Sequence, residues 1–203
     1  IVLTATVDEV PLAGCTVSDY TFAAGENMTK VTVNVSPLEI GKELNITLTL
    51  DNTNEPVSGS NTVSVTVNKD YNWVSLGTGT FADVLAFTEK PYNVEIQKAD
   101  GFDRYRVMKP YEQGLKNSCD YIEFWIKDGI IYYNKFFIGI NYDGSASNAI
   151  YAHHPSDFAG ISLANNKQLD DKTFQLAPYY YIEALQGGFD YTGEGGSILI
   201  TLP

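Results

Sequence analysis

One short segment alternates aromatic and acidic side chains with apolar ones. If residues 121–126 are extended, Tyr121, Glu123 and Trp125 lie on one face and the apolar residues between them lie on the other. Aromatic rings can stack on the C–H faces of sugars, and a carboxylate accepts hydrogen bonds from their hydroxyls. We expect these three residues to bind such a ligand if their face is open. The alternative is that another sheet or a loop covers Tyr121 and Trp125, because tryptophan is usually well buried.

A run of three tyrosines at 179–181 leaves the same alternatives open. In an extended segment at least one of these rings lies on each face. Alternation alone does not decide whether any of the rings reaches solvent.

His153, His154 and Asp157 form the one cluster in the sequence with the residue types of a metal site. Adjacent histidines on an extended chain point to opposite faces, and Pro155 indicates a loop. A structural or catalytic metal needs three or four converging ligands. We therefore predict a solvated loop at this position, with no metal site and no cofactor.

Residues 77–82 match the pattern G-x-G-x-x-A of dinucleotide-binding proteins. That fingerprint requires a parallel strand before it, a helix after it, and an acidic residue about 20 positions further on. The surrounding pattern is that of antiparallel strands. We predict a structural turn here.

Other catalytic motifs are missing or unspecific. The sequence contains no G-x-S-x-G, and no Cys/His pair stands in a recognisable protease context. Glycosidase chemistry needs only two carboxylates at a suitable separation, and nothing singles out one pair among the 25 acidic residues. We predict that the protein is not an enzyme, with a glycan-active enzyme as the least favoured alternative.

The charge balance narrows the range of partners. The chain has 13 basic and 25 acidic residues, for a net charge of -12. Nucleic acid and anionic membrane surfaces repel such a protein, so nucleic acid is excluded as a partner. We expect a neutral glycan or a cell-surface protein as partner, and contact with a membrane only through a lipid anchor that lies outside this chain.

The elements that must position these residues are strands, because most apolar side chains repeat every two residues. Clear examples are the alternating valines and leucines at 31–35, 44–50 and 63–67. Such a period predicts strands with one buried face and one solvated face. We predict an all-β fold of two tandem antiparallel β-sandwich domains, residues 1–68 and 69–203, the first of them an abbreviated immunoglobulin-like sandwich.

The second half is richer in aromatic residues than the first. Its predicted strands cover residues 92–98, 105–108, 121–126, 130–141, 174–185 with a break at Pro178, and 197–202. Residues 82–89 are the only segment of this half that could hold a short helix. The glycine-rich residues 187–196 are predicted to form a surface loop.

Several segments carry a resemblance to a known family. Residues 44–50 (LNITLTL) and 61–67 (NTVSVTV) resemble the Calx-beta-like domains at the N-terminus of many Bacteroidetes surface lipoproteins. Residues 73–81 (WVSLGTGTF), 92–96 (YNVEI), 105–107 (YRV) with Pro110 and Tyr111, and 200–203 (ITLP) resemble the domain that follows in those proteins. The resemblance covers nearly the whole chain and implies a surface location, but it transfers no catalytic residues.

The resemblance does not extend to a calcium site. Calx-beta domains that bind calcium cluster acidic residues at one end of the sandwich. Here Asp51 and Glu55 lie in an Asn-rich loop without a second acidic pair nearby. Because a good calcium site needs six or more oxygen ligands, we expect none at this loop.

The two cysteines give information about the cellular compartment of the protein. Cys15 ends the sequence LAGC, which matches a bacterial lipoprotein cleavage site, but Asp8, Glu9 and Pro11 interrupt the apolar leader that such a site needs. We therefore predict strand, turn and strand there, and a leader that precedes Ile1. Cys15 and Cys119 either form one disulfide in an oxidising compartment or remain two buried thiols.

These observations together favour an extracytoplasmic, non-catalytic surface lipoprotein with a binding or adhesion module for a glycan or another surface component. The alternative from a different functional class is a structural spacer with no ligand of its own. An exposed aromatic strip favours the binding module, whereas aromatic residues that are all buried favour the spacer.

Overall fold

The protein is built from antiparallel strands. The computed structural model describes residues 1–21, 23–25, 29–50, 61–86, 88–115, 117–191 and 195–203. These residues form several antiparallel sheets and a few short 3-10 turns, and they contain no α-helix. This confirms the predicted all-β fold class. The described residues separate into two compact units, residues 1–71 and 72–203, and their assignment to two sandwich domains divided after residue 68 stays a prediction.

The first unit is built around a small apolar core. Its described strands are β1 (Val2–Val7), β2 (Val10–Pro11), β3 (Thr16–Val17), β4 (Val33–Asn34), β5 (Glu43–Thr49) and β6 (Thr62–Asn68). One sheet has the order β2-β1-β5-β6, and β3 pairs with β4. Ala5, Leu38, Leu44 and Ile46 form the buried centre, and Cys15 packs against it. The alternation at 44–50 therefore places one face of β5 in this core, as expected.

Two features of the first unit differ from the expected pattern. Val63 and Val65 are exposed rather than buried, because β6 is the outer strand of its sheet and extends past the small core. The valines at 31–35 form only the two-residue strand β4, although all three are half-buried. Alternation alone cannot show how far a core extends beneath a strand.

The second unit contains two sheets. Its described strands are β7 (Trp73–Asp83), β8 (Thr88–Ala99), β9 (Arg104–Met108), β10 (Tyr121–Lys127), β11 (Ile130–Tyr133), β12 (Phe136–Asn141), β13 (Ala149–His153), β14 (Lys167–Gln168), β15 (Thr173–Leu176), β16 (Tyr179–Ile182), β17 (Gly187–Phe189) and β18 (Ile198–Thr201). The larger sheet has eight strands in the order β11-β10-β9-β8-β7-β18-β15-β14, and the smaller has four in the order β12-β13-β16-β17.

The two edges of the larger sheet approach each other. The backbone N–H of Ile131, in edge strand β11, donates to the carbonyl oxygen of Asn166 at 2.9 Å. Asn166 directly precedes β14, the opposite edge strand. The sheet is therefore curled. This hydrogen bond joins edge strand β11 to the segment that leads into the opposite edge strand, β14.

Both sheets of the second unit contribute to one hydrophobic core. Phe81, Phe124 and Phe174 come from the larger sheet, and Phe136 and Tyr180 come from the smaller. The rings of Phe124 and Phe174 lie 5.2 Å apart within the larger sheet, and the ring of Tyr133 from the larger sheet lies 6.1 Å from that of Phe136 in the smaller. This packing of sheet on sheet is sandwich-like.

The segment 82–89, the one candidate for a short helix, forms no helix in its described residues. Ala82 and Asp83 end β7, a turn follows, and β8 begins at Thr88. An Asp83 carboxylate oxygen accepts hydrogen bonds from the N–H groups of Leu85 at 3.2 Å and Ala86 at 3.1 Å. These bonds stabilise a turn in place of a helix.

The glycine motif at 77–82 lies inside strand β7, so the predicted turn is wrong. Gly77 has a φ of 104° at an irregularity in the pairing of β7 with β8. A Cβ on Gly79 would lie 2.3 Å from the carbonyl oxygen of Thr201 and 2.8 Å from the Cγ1 of Ile96. Gly77 therefore permits a positive φ, and Gly79 permits close packing of β7 against its neighbours.

Two further predicted segments are divided by the structure. Residues 130–141 form β11 and β12, which belong to different sheets and are separated at Asn134 and Lys135. Part of the expected loop at 187–196 is strand β17. The break at Asn134 is where the chain passes from the larger sheet to the smaller, and it borders the candidate site.

Cys15 and Cys119 are both free thiols and lie in different units. Burial raises the pKa of Cys119 to about 12, so its thiol is protonated at neutral pH. Within the described ranges no helix is long and apolar enough to cross a membrane.

Candidate functional site

Tyr121, Glu123 and Trp125 lie on the outer face of the larger sheet. They alternate along β10 with Ile122 and Phe124, whose side chains are fully buried in the core. Tyr121 is 39% exposed, whereas Glu123 and Trp125 are partly covered. The cover comes from neighbouring side chains on the same face of the sheet.

Glu123 is held by two arginines of the neighbouring strand. In the register of β9 with β10, Arg106 pairs with Glu123 and Arg104 pairs with Trp125. The Nε of Arg106 donates to one Glu123 oxygen at 2.8 Å, and a terminal nitrogen of Arg104 donates to the other. Both oxygens of this carboxylate are therefore occupied, and its side chain is only 12% exposed.

The same arginines stack on the aromatic rings of this face. The guanidinium carbon of Arg106 lies 3.8 Å from the ring centroid of Trp73 and 4.2 Å from that of Tyr121. Arg104 lies 4.2 Å from the ring centroid of Trp125, which also stacks against Tyr132. These cation–π contacts position the rings and cover one face of Tyr121 and Trp125.

Tyr121 and Glu123 also line an open cleft of about 360 Å³, here named the Tyr121 cleft. It lies between the start of β10 and the passage from β11 to β12. Its lining comprises Cys119, Asp120, Tyr121, Glu123, Asn134, Lys135, Phe136 and Phe137. A volume of this size falls at the small end of the range for ligand sites, about 300–1,000 Å³. Trp125 does not belong to this lining.

The Tyr121 cleft combines three aromatic rings with polar groups. Tyr121, Phe136 and Phe137 supply the rings, and Asn134 supplies an amide. Lys135 donates to Glu183 at 2.6 Å, and this hydrogen bond raises the pKa of its ammonium group. The lysine charge in the cleft is therefore already paired.

The two histidines are buried, which overturns the predicted solvated loop. His153 ends strand β13 and is 8% exposed, and His154 is 2% exposed. The Nδ1 of His153 lies 3.2 Å from an Asp157 oxygen, whereas the Nε2 of His154 lies 3.1 Å from the carbonyl oxygen of Ile131. Burial lowers the pKa of His154. Aromatic rings enclose both side chains, a contact that local sequence cannot reveal.

The described part of the chain contains no group of three or more His, Cys, Asp or Glu side chains placed to hold a metal ion. Asp51 and Glu55, the residues considered above for calcium, lie outside the described residues.

The tyrosine run at 179–181 divides between two faces of the smaller sheet. Tyr180 is fully buried in the core, while Tyr179 and Tyr181 lie on the outer face with Phe158. The centroid of Phe158 lies 4.9 Å from Tyr179 and 5.0 Å from Tyr181. These half-buried rings pack on one another.

A second polar cluster is enclosed in the core. Tyr111 donates to the Asp83 carboxylate at 2.7 Å, and Tyr180 donates to it at 2.9 Å. Ser197 lies 2.8 Å from the Tyr180 hydroxyl. Burial raises the pKa of Asp83. Because Asp83 is fully buried and hydrogen-bonded at both oxygens, the cluster is a structural network and is closed to substrate.

Comparisons with protein-family models, with curated proteins and with solved structures find no match to this chain. Alternation in residues 121–126 was sufficient to group Tyr121, Glu123 and Trp125, but it missed Trp73, Asn134 and Phe137. The sequence does contain a signal for the two arginines that hold Glu123. Arg104 and Arg106 are two residues apart, so both lie on one face of their strand.

Proposed function

We propose that this protein is a non-catalytic binding module that takes a neutral glycan in the Tyr121 cleft. The observation that carries the proposal is the exposed Tyr121 ring at an open cleft that also presents Phe137 and an amide. A sugar can stack its C–H face on the open part of the Tyr121 ring and exchange hydrogen bonds with the polar lining.

Within this proposal the three predicted residues have different roles. Tyr121 contacts the ligand. Glu123 orients Arg104 and Arg106, and Trp125 supports Arg104 from its far side. Glu123 and Trp125 thus position the tyrosine through the arginines, because Arg106 stacks on the Tyr121 ring.

A non-catalytic role is supported by the state of the carboxylate at this site. A general acid or base must exchange protons with the substrate. Both oxygens of Glu123 already accept hydrogen bonds from arginines. The carboxylate is arranged to hold side chains in place and not to transfer a proton.

We also propose an extracytoplasmic setting on a bacterial surface, with attachment through a lipid outside this chain. The support is the resemblance of residues 44–50, 61–67 and 73–81 to surface lipoproteins, together with the net charge of -12, which suits neutral partners.

The test is retention of the purified protein on an array of neutral glycans, with two matched tyrosine variants. Tyr121→Ala should lose retention, because it removes the stacking ring. Tyr142→Ala should retain the glycans bound by the wild type, because Tyr142 is 52% exposed and lies outside the lining of the Tyr121 cleft. The melting temperature of Tyr142→Ala should stay close to that of the wild type, and that of Tyr121→Ala should fall only slightly, since its ring is exposed but stacks on Arg106.

Two results contradict the proposal. If no neutral glycan retains the wild type, the structural spacer becomes the better account. If Tyr121→Ala is retained as well as Tyr142→Ala, the Tyr121 cleft is not the binding site.

A further inference from the structure

We propose that the glycan is a chain of several sugars that extends from the Tyr121 cleft across the β9–β10 connection into two neighbouring clefts. This inference rests on the proposed function and specifies its ligand class. It follows from the way in which the clefts of this region adjoin one another.

The second cleft, here named the connection cleft, has a volume of about 370 Å³. Its lining comes from the connection between β9 and β10 and comprises Lys109, Glu112, Leu115, Asn117, Ser118, Cys119 and Asp120. Cys119 and Asp120 line both this cleft and the Tyr121 cleft. The two openings therefore share a wall.

The third cleft, here named the Met108 cleft, has a volume of about 210 Å³. Lys109 and Glu112 line both it and the connection cleft. The three clefts form a series in which each adjoins the next, with the Tyr121 cleft and the Met108 cleft at the two ends.

Strand register places both end clefts on the same face of the larger sheet. Met108 pairs with Tyr121, and the pairing of Val107 with Ile96 places Glu95 opposite Met108. Glu95, Met108 and Tyr121 thus form one row across three strands. A hydrogen bond of 2.7 Å from the Lys109 N–H to the Asp120 carbonyl oxygen closes the base of the connection beside this row. A ligand that follows the row passes along the connection.

The charges of the series favour a neutral chain. Glu95, Glu112, Asp120 and Glu123 contribute four carboxylates to the linings. The two lysines, Lys109 and Lys135, are both ion-paired, at 3.0 Å and 2.6 Å. No unpaired cation is thus present in the described linings to attract a polyanion, so an acidic polysaccharide is disfavoured.

The uncharged polar side chains of the three clefts are suited to hydrogen bonds with sugar hydroxyls. Asn93 and Gln113 line the Met108 cleft, Ser118 lines the connection cleft, and Asn134 lines the Tyr121 cleft. Each amide offers a donor and an acceptor, as do the hydroxyls of a sugar. Every part of the series can therefore exchange hydrogen bonds with a saccharide.

Each cleft alone has room only for a small ligand, so a longer chain should gain contacts that a short one lacks. The test uses neutral oligosaccharide ladders of glucan, mannan, xylan and galactan, each immobilised as the disaccharide and the hexasaccharide. We expect the wild type to bind the hexasaccharide of its preferred glycan at least about tenfold more tightly than the disaccharide.

Two variants locate the additional contacts. Asn93→Ala combined with Gln113→Ala should lower hexasaccharide binding toward the level of the disaccharide, because the connection cleft stays intact, and should leave disaccharide binding unchanged. Gln168→Ala is the matched control, because Gln168 is an exposed residue of β14 outside all three linings. It should bind both lengths as the wild type does.

The outcomes separate this inference from the proposed function. Equal binding of disaccharide and hexasaccharide, both abolished by Tyr121→Ala, overturns the extended ligand and leaves the glycan module standing. Loss of hexasaccharide binding in the Gln168→Ala control also overturns the assignment of the Met108 cleft. If no saccharide of either length binds while an array of neutral decapeptides does, both proposals fail.

Discussion

At the scale of single residues, Glu123 organises the outer face of the larger sheet. It receives hydrogen bonds from Arg104 and Arg106, and these arginines stack on aromatic rings in turn. An arginine that stacks and pairs at once loses much of its freedom to change rotamer. The rings beside it are therefore held in one orientation before any ligand arrives, which lowers the entropy cost of binding.

Removal of the Trp125 ring should lower the stability of the protein more than removal of an exposed side chain does. We expect Trp125→Ala to lower the free energy of unfolding by about 2 kcal/mol, between the effect of a surface change and that of a buried tryptophan. Glycan binding should weaken severalfold, because Arg104 loses its support. Denaturant unfolding and array retention measure the two effects.

Trp125→Phe is the control for this prediction, since it keeps a ring for Arg104 to stack on. It should recover most of the stability and the binding. An unchanged free energy of unfolding in Trp125→Ala would show that the contact with Arg104 contributes nothing.

Asp83 should make stability depend on pH in the direction opposite to that of most carboxylates. Burial raises the pKa of Asp83 above its ordinary value of 3.8, so the folded state holds this proton more tightly than the unfolded state does. The contribution of Asp83 is complete below pH 3.8 and is lost as the pH rises through the folded-state pKa.

The comparison of wild type with Asp83→Asn isolates this effect. Between the pKa of Asp83 in the unfolded state and its pKa in the folded state, the free energy of unfolding of the wild type should fall relative to that of the variant by up to about 1.4 kcal/mol per pH unit. Urea unfolding at a series of pH values measures the difference. A difference that stays constant with pH would mean that Asp83 titrates alike in both states.

The residue types at the candidate site could be predicted only in part. Alternation shows that Tyr121, Glu123 and Trp125 share a face, because that depends on local geometry alone. The partners of Glu123 depend on the register between β9 and β10, which no local pattern specifies. Asn134 and Phe137 join the site only because the chain changes sheets between β11 and β12.

At the scale of elements, strand β7 depends on a glycine where it meets β18. A Cβ on residue 79 would lie 2.3 Å from the Thr201 carbonyl oxygen, so Gly79→Ala must push the two strands apart. We expect it to cost about 1–3 kcal/mol of the free energy of unfolding. Thermal and denaturant unfolding both measure this loss.

Gly187→Ala is the matched control, because its Cβ would come no closer than 3.7 Å to another group. It should change the free energy of unfolding by only a few tenths of a kcal/mol. If both variants lose the same stability, the effect arises from backbone freedom in general and not from the approach of β7 to β18.

The elements themselves were largely predictable, and the exceptions have physical causes. Period-two alternation located most of the longer strands, including β5 and β10. The segment 82–89 was a candidate for a short helix, but the Asp83 side chain stabilises a turn there instead. The G-x-G motif was mistaken for a turn because close strand packing demands the same residue. The first contact is a local one from a side chain to the backbone, whereas the second joins Gly79 to Thr201, which is distant in sequence.

At the scale of the whole molecule, the two units have separate hydrophobic cores. Leu38, Leu44 and Ile46 belong to the first core, and a much larger cluster around Phe81 and Phe124 belongs to the second. A unit with its own core can fold alone. We therefore expect the fragment of residues 72–203 to fold on its own.

The fragment should give one cooperative melting transition and the β-type far-UV circular dichroism of the intact protein. It should also keep the glycan retention of the wild type, because all three clefts lie within it. A fragment without a cooperative transition would mean that residues 1–71 complete its core.

The curled form of the larger sheet also affects solubility. An open edge strand offers unpaired N–H and C=O groups, and another chain can add to it as a further strand. Here the Ile131 N–H is already bonded to the Asn166 carbonyl oxygen, so this edge offers less of a template to a second molecule. At high protein concentration, the hydrogen bond that joins the two edges of this sheet should therefore disfavour edge-to-edge aggregation through β11.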